Sequence, residues 1–436
     1  MREMKDSGIE WIGKIPVNWK TERLQWHLQE VNIGNNPVQT TNILSLTNKK
    51  GVIPYEEKGN QGNKSKEDVS GYKLAYPNTI VANSMNVIIG SVGLSKYYGC
   101  VSPVYYVFKA VNNDSIDFYN YIFSVVGFQR ELRKFANGIL EIRLRVSSDS
   151  ILKRPVAIPP IDEQKRIVAF LDSKCSELDA LSADIQKEIE ILEQYKRSVI
   201  TEAVTKGLNP DAEMKDSKNQ RIGTIPAHWN VHKIKYHIAS ISSGLSAVTS
   251  DSSSSESGKY VLRTSAVSTG VFKPNEVKAV LENVIDRLVC PVEVDTLVMS
   301  RMNTAEMVGY CAYIGNPYPN YYLPDKLWKI HTQPSLYAKY AWFVINSSVS
   351  HRWFASIATG ASSSMLNISL LDFEQLVIPV PPRNEQNCIA DFLEKKCSEV
   401  EIAIQEKKQQ LEVLDSYKKS LIYEYVTGKK EVPNEQ

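Results

Sequence analysis

Apolar residues recur every seven positions in two stretches of this chain. In the first, Leu171, Leu178, Ile185, Leu192 and Val199 form a stripe, with Cys175, Leu181, Ile189 and Ala203 beside it. In the second, Leu393, Val400, Leu414 and Leu421 keep the register, with Cys397, Ile404 and Leu411 between them. Charged residues fill the flanks, which is the pattern of a coiled coil. Each stretch follows a proline pair, Pro159-Pro160 or Pro381-Pro382, and the first meets no Pro or Gly until Gly207. The spacing predicts helices over 161–206 and 383–427, each about 45 residues or about 65 Å long. Asp162 is the expected N-cap of the first, and the acidic first turn suits the helix dipole. Lys407 interrupts the second seam, where its aliphatic stem still covers apolar surface.

The remaining pattern is shorter. β-rich runs at Ile43–Leu46, Thr79–Val81, Val104–Phe108, Val261–Arg263, Thr296–Met299 and Leu327–Ile330 are broken by Gly, Asn and Pro. They place mixed α/β regions at about 20–158 and 230–380. The segment DSSSSESG around Ser252–Ser255 reads as a loop.

The chain repeats itself. PPIDEQKRIVAFLDSKCSE at 159–177 returns as PPRNEQNCIADFLEKKCSE at 381–399, and 20 of 47 aligned positions are identical without a gap. A second repeat pairs Met4-Lys5-Asp6-Ser7 with Met214-Lys215-Asp216-Ser217, Ile15-Pro16 with Ile225-Pro226, and Trp19 with Trp229. The two variable regions share a fainter skeleton. Asn78–Val81 with Met85-Asn86 parallels Asp295–Val298 with Met302-Asn303, and Asn137-Gly138 parallels Thr359-Gly360. Two copies of one unit follow each other, so the C-terminal helix is expected beside the N-terminal segment, closing a ring about a pseudo-twofold axis. Connectivity then makes the two long helices antiparallel.

Composition changes this picture little. The 436 residues, 43% of them apolar, suit a few globular domains rather than a disordered or fibrous chain. No apolar run is long enough to span a bilayer, and MREMKDSGIEW lacks a signal-peptide core, so a cytoplasmic protein without membrane contact is expected. Six cysteines without a CxxC pair read as reduced thiols. With 51 Lys+Arg against 49 Asp+Glu, any basic surface must be local.

The search for catalytic chemistry is empty. There is no GxGxxG or GxxxxGK[ST] phosphate cradle. Asn316–Tyr318 lacks the second proline and cofactor motif of an amino-methyltransferase, and Glu163-Gln164-Lys165, half of a nuclease-like E-x-K, is broken in its repeat mate Glu385-Gln386-Asn387. His228, His232 and His237 have ligand-like spacing but no acidic or thiol partner in sequence, which favours structural roles. Cys175 and Cys397 share a heptad position and read as small core residues, with a redox pair as the alternative. Tyr195 and Tyr417 are expected to end the seam with a polar tip. No catalytic residue, metal or cofactor is expected.

Binding residues are more visible. Residues 130–154 hold seven basic and three acidic side chains, Arg143 and Arg145 among them. Lys49, Lys50, Lys58, Lys64 and Lys66 form a second group, and Asn86 stands at a shared landmark. The second region offers Arg263, Lys273, Arg301, Asn303 and Lys326. Arg and Lys neutralise phosphates, and Arg and Asn also read base edges with bidentate geometry. Taken singly, each residue reads first as solvated surface; the paired layout is what favours DNA.

The doubled P-P-x-x-E-Q-x-x-I-x-x-F-L motif, each copy opening a long helix, resembles the specificity (S) subunit of type I restriction–modification systems. MKDSG…WIGKIPVNW and MKDS…RIGTIPAHW strengthen the resemblance, which covers essentially the whole chain. It implies target recognition domains at 1–158 and 209–380, with conserved spacer helices at 159–208 and 381–436. Each domain would read one half of a bipartite, asymmetric site in double-stranded DNA. The antiparallel coiled coil would fix the half-site spacing and dock two methyltransferase (M) subunits, and restriction (R) subunits would complete the nuclease. The S subunit itself carries no catalytic site. Three other readings remain open from the residues: a stand-alone DNA-binding protein, a coiled-coil protein scaffold, and an enzyme with an unrecognised site. Co-purification with a larger subunit, a DNA shift, and methyl transfer by the chain alone would separate them.

Overall fold

The computed structural model describes residues 2–47, 51–59, 68–111, 114–137, 144–245, 249–250, 258–362 and 365–433. The chain forms two compact units, Met1–Gln186 with Gln409–Gln436, and Lys187–Lys408. Two long helices, Ile161–Lys206 and Arg383–Val426, each contribute to both units.

Each unit is built on the same frame. In unit one, an antiparallel sheet runs in the order Leu28–Glu30, Tyr105–Ala110, Thr79–Asn83, Val92–Ser95. In unit two the order is Ile238–Ser243, Leu327–Thr332, Thr296–Ser300, Cys311–Ile314. The third strand of each sheet, TIVAN or TLVMS, is buried along its whole length, as an uninterrupted apolar run predicts. Five of the six runs singled out in the sequence overlap a strand of these sheets or of the hairpins beside them, and Tyr260–Leu262 covers the sixth. One helix packs on each main sheet, Ile116–Ser124 in unit one and Ala338–Ile345 in unit two, and a second, Val126–Arg133 or Ser348–Ile357, packs against it. The units differ in their outlying strands. Unit one has the hairpin Leu44–Thr47 with Gly51–Pro54. Unit two has the sheet Thr249–Ser250, Val277–Val280, Tyr260–Leu262, Tyr321–Tyr322, whose last pairing is parallel.

A short two-stranded sheet delivers the chain to each long helix: Pro155–Ile158 pairs with Lys20–Arg23, and Val377–Val380 with Asn230–Lys233. The first helix begins at Ile161, and the carbonyl of Pro160 accepts from the backbone N–H groups of Glu163 and Gln164. Asp162 therefore lies inside the first turn and not at the cap position, which Pro160 holds while its carbonyl accepts the first bonds of the helix. Both helices stop where expected, at Gly207 (φ +74°) and Gly428 (φ +70°).

The heptad stripe faces inward. Leu171, Ile185, Leu393, Val400 and Leu421 are buried, and Leu178, Leu192, Val199, Leu411 and Leu414 are half-buried. Leu181 departs from the expectation and is exposed, because its position turns it off the stripe. Tyr195 and Tyr417 are exposed. In unit one the start of the first helix meets the end of the second. The rings of Phe170 and Tyr425 lie 4.5 Å apart, and Lys418 pairs with Asp179 at 2.6 Å. In unit two, Lys407 pairs with Glu188, and Lys196 with Glu401 at 2.8 Å. As one residue number rises the other falls, so the helices are antiparallel within each unit. Lys407 thus keeps its place in the seam by turning its ammonium to Glu188.

The expected closure is present in unit one. Tyr423 donates to the carbonyl of Trp11 at 3.4 Å, and Lys429 donates to that of Lys14. A Cβ on Gly428 would fall 2.5 Å from Pro16 Cδ, so the chain end and the N-terminal segment touch backbone to ring. The internal junction of unit two repeats the arrangement, with Gly207 against Trp229 and Pro226.

Candidate functional site

The repeated Glu-Gln pair is a clasp. Trp19, wholly buried, donates its indole N–H to Glu163 at 3.0 Å, and Arg2 adds two bonds to the same carboxylate at 2.6 and 2.8 Å. In unit two, Trp229 donates to Glu385 at 2.9 Å, and the His228 ring nitrogen lies 2.7 Å from the other oxygen. Gln164 accepts from the backbone N–H of Ser115 and donates to the carbonyl of Pro159. Gln386 does the same with Tyr337 and Pro381. Each pair therefore ties three elements at one point: the Ile-Pro-x-x-Trp segment, the helix on the sheet, and the start of the long helix. The nuclease-like reading of Glu163 is displaced by this use of its carboxylate. The signal for the clasp was the co-occurrence of both motifs in both copies.

Above each buried third strand the chain emerges as a short polar segment. In unit two, Ser300 ends the strand and Met302-Asn303 pairs with Met365–Asn367, which pairs in turn with Thr359–Ser362. A Cβ on Gly360 would sit 2.2 Å from the Met365 carbonyl oxygen, so only glycine fits this close crossing. Arg301 is half-buried; its Nε donates to the Asp325 carbonyl at 3.0 Å, and its backbone N–H to that of Lys326 at 3.2 Å. Arg301, Asn303 and the exposed Lys326 are thereby brought together. Asn303 is held by Thr304 N–H, which donates to its side-chain oxygen at 2.9 Å. Arg263 stands apart on the outlying sheet, its Nε donating to Val277 at 3.1 Å. Lys273 lies beyond the same strand.

Unit one has the equivalent segment. Val146 N–H donates to Ser84 as Ile368 N–H donates to Arg301, and Asn137 exchanges both backbone bonds with Arg145. Asn86 and Arg145 are both exposed beside it. Of the basic residues between 130 and 154, Lys134 pairs with Glu131 at 2.8 Å and Lys153 with Asp149 at 2.7 Å. Arg154 stacks on Phe135 at 3.5 Å. Arg130, Arg133 and Arg145 are exposed. Lys49, Lys50, Lys64, Lys66 and Arg143 lie outside the described residues, as do Gly138 and Ser252–Ser255.

The remaining titratable groups are structural in their contacts. His232 and His237 stack with nitrogens 2.9 Å apart, and His237 also meets Ser335 at 2.8 Å. Burial, with the His232 charge adding, lowers the pKa of His237. Lys329 reaches Glu293, and this bond holds the Glu293 carboxyl below its usual range. All six cysteines are free thiols; Cys175 lies in the unit-one core and Cys397 packs against that of unit two. Among the described residues, no group of three or more His, Cys, Asp or Glu side chains is placed to hold a metal ion. No helix among them is long and apolar enough to cross a membrane.

Comparison with known proteins places this geometry. The family model described as "Type I restriction modification DNA specificity domain" matches the chain twice, over residues 16–191 and 226–413. The chain is 22% identical over 433 residues to the putative type I restriction enzyme MjaX specificity subunit of Methanocaldococcus jannaschii, covering 96% of this chain and 95% of that one. It is 25% identical over 284 residues to the MjaVIII specificity subunit of the same organism, covering 64% and 63%. Among solved structures, a chain from work on complex assembly and conformational transition of the type I R-M system superposes with a TM-score of 0.69 at 14% identity, covering 95% of this chain and 99% of that one. That likeness is one of fold.

Proposed function

Since the chain belongs to the type I restriction–modification DNA specificity family, we propose that it is the non-catalytic reader of a bipartite, asymmetric DNA site. In this reading each unit contributes one recognition domain, with boundaries near 1–158 and 209–380. The spacer helices carry two methyltransferase subunits, and restriction subunits join them. The protein acts on double-stranded DNA in the cytoplasm, and the methyl donor and its site belong to the partner.

The doubled frame carries the reading. Two sheets of one topology end in the same polar segment, yet the side chains there differ: Ser84 and Arg145 in one unit stand where Arg301 and Asn367 stand in the other. A repeated support with unlike tips suits two readers of unlike half-sites. Exposed or half-buried Arg and Asn side chains supply both phosphate and base-edge chemistry. Asn86, Arg145, Arg301, Asn303 and Lys326 are assigned to the DNA face on these grounds. Arg263, Lys49, Lys50, Lys64, Lys66 and Arg143 are assigned there on charge alone.

The experiment is the methylome of a host expressing this chain with its methyltransferase partner. A modified motif of two unlike halves around a fixed gap is expected. A single continuous motif, or methylation by this chain alone, would overturn the proposal.

A further inference from the structure

The two copies of the frame differ at one place away from the polar tips. In unit one, Trp11 fills the space between the helix Val126–Arg133 and the end of the second long helix. Its ring lies 5.8 Å from Phe128, a Cβ on Gly127 would fall 2.8 Å from it, and Tyr423 bonds its carbonyl. The repeats put Arg221 at the position of Trp11, Thr201 at that of Tyr423, and Val349 at that of Gly127. Two large aromatic rings are thus replaced by smaller or movable side chains. The result in unit two is a cleft of about 520 Å³.

Its lining is basic. Arg197, Lys206, Arg221 and Arg352 face it, against the single carboxylate of Glu202. The local pairings leave donors over. Arg221 stacks on Trp353 at 4.8 Å, and Arg352 donates only one bond, at 3.3 Å, to the Arg221 carbonyl. Lys206 meets Glu202 at 3.5 Å. Arg197, whose side chain is largely exposed, reaches the half-exposed Glu193 only at 3.9 Å. Three guanidinium forks around one space match the oxygens of a phosphate better than a lone carboxylate, which one fork would satisfy.

We infer that this cleft is a binding site for a phosphate-bearing ligand, present in unit two and filled in unit one. The volume lies in the range of small-ligand sites and accepts a diphosphate. Two sources share that chemistry: a free nucleotide, and the DNA backbone. The helix Ser348–Ile357 lines the cleft with its first turn and ends two residues before the hairpin strand Thr359–Ser362.

The test uses the full chain at low salt, with pyrophosphate as the probe and calorimetry as the readout. Pyrophosphate is expected to bind the native protein, and R197E or R352E is expected to weaken it roughly tenfold or more. The equivalent unit-one change, K419E, is expected to leave binding intact. Displacement of pyrophosphate by ATP but not by duplex DNA assigns the nucleotide source, and displacement by duplex assigns the backbone. No binding, or equal binding by the native protein and both arginine variants, would overturn the site. An acidic peptide that competes where ATP and DNA do not would replace it with a protein-docking surface. The bipartite DNA reading stands or falls separately, on the methylated motif.

Discussion

Replacing Glu163 by Ala tests whether the clasp holds the recognition frame to its helix. The substitution removes the acceptor of the indole N–H of Trp19, whose ring is wholly buried. An orphaned buried donor costs about 1–3 kcal/mol. The Arg2 pair is largely covered but reaches solvent, and its loss adds at most about 1 kcal/mol. The sum is about 1–4 kcal/mol, or roughly 2–16 °C in the melting midpoint of a unit of this size. Glu163→Gln keeps an oxygen for Trp19 and is expected to lose about 1 kcal/mol. The assay is urea unfolding of the full chain followed by circular dichroism, on Glu163→Ala, Trp19→Phe and the double variant. If the bond is what matters, the two single losses overlap and the cycle shows coupling of about 1–2 kcal/mol. Additive losses, or a Glu163→Ala protein within about 0.5 kcal/mol of native, would refute the clasp.

Other outcomes follow from the same geometry. Arg145→Ala removes an exposed side chain, so stability is expected to stay within about 0.5 kcal/mol. DNA affinity is expected to fall by about 1–3 kcal/mol, and a phosphate role lowers the salt slope by about 1, both read by binding titrations at several salt concentrations. Glu188 lies opposite Lys407, so adding one turn after Glu188 calls for a matched turn before Lys407 to keep the two helices in register. The paired insertion is expected to lengthen the gap between half-sites and leave both half-sites unchanged, as read from the methylated motif. His351 has its pKa pulled down to about 4, by burial first and the Arg197 charge second. It stays neutral in the folded chain while the unfolded chain takes up a proton below about pH 6.5. Its contribution is therefore complete above pH 6.5 and is lost as pH falls toward 4, by about 3 kcal/mol in all. His351→Phe should flatten that part of the stability–pH curve, and an unchanged curve would remove His351 as the cause.

The long helices were legible because their signals are local and redundant. A seven-residue stripe, a proline pair before and a glycine after leave few other structures for 161–206. The closure of chain end onto N-terminal segment was legible from the order of the repeats. Asp162 was misplaced by two residues, since Pro160 precedes the helix and carries none of the side chains that signal a cap. Leu181 was misplaced because a residue beside a stripe faces solvent or core according to a few tens of degrees of rotation. The clasp was present in the sequence as two motifs, but their contact spans 144 residues in unit one, and no periodicity reports a contact at that separation. The proposed DNA face was legible only as a composition. Lys134, Lys153 and Arg154 carry the same charge as Arg145 in the sequence, and local partners set them apart only in the fold.

Each unit is proposed to read its own half of the DNA site. Exchanging residues 230–380 for the matching region of a family member with a different methylated motif tests it most directly. A hybrid motif is expected, with one half-site replaced and the other half and the gap retained. Replacement of both halves, or a motif left unchanged, would contradict it.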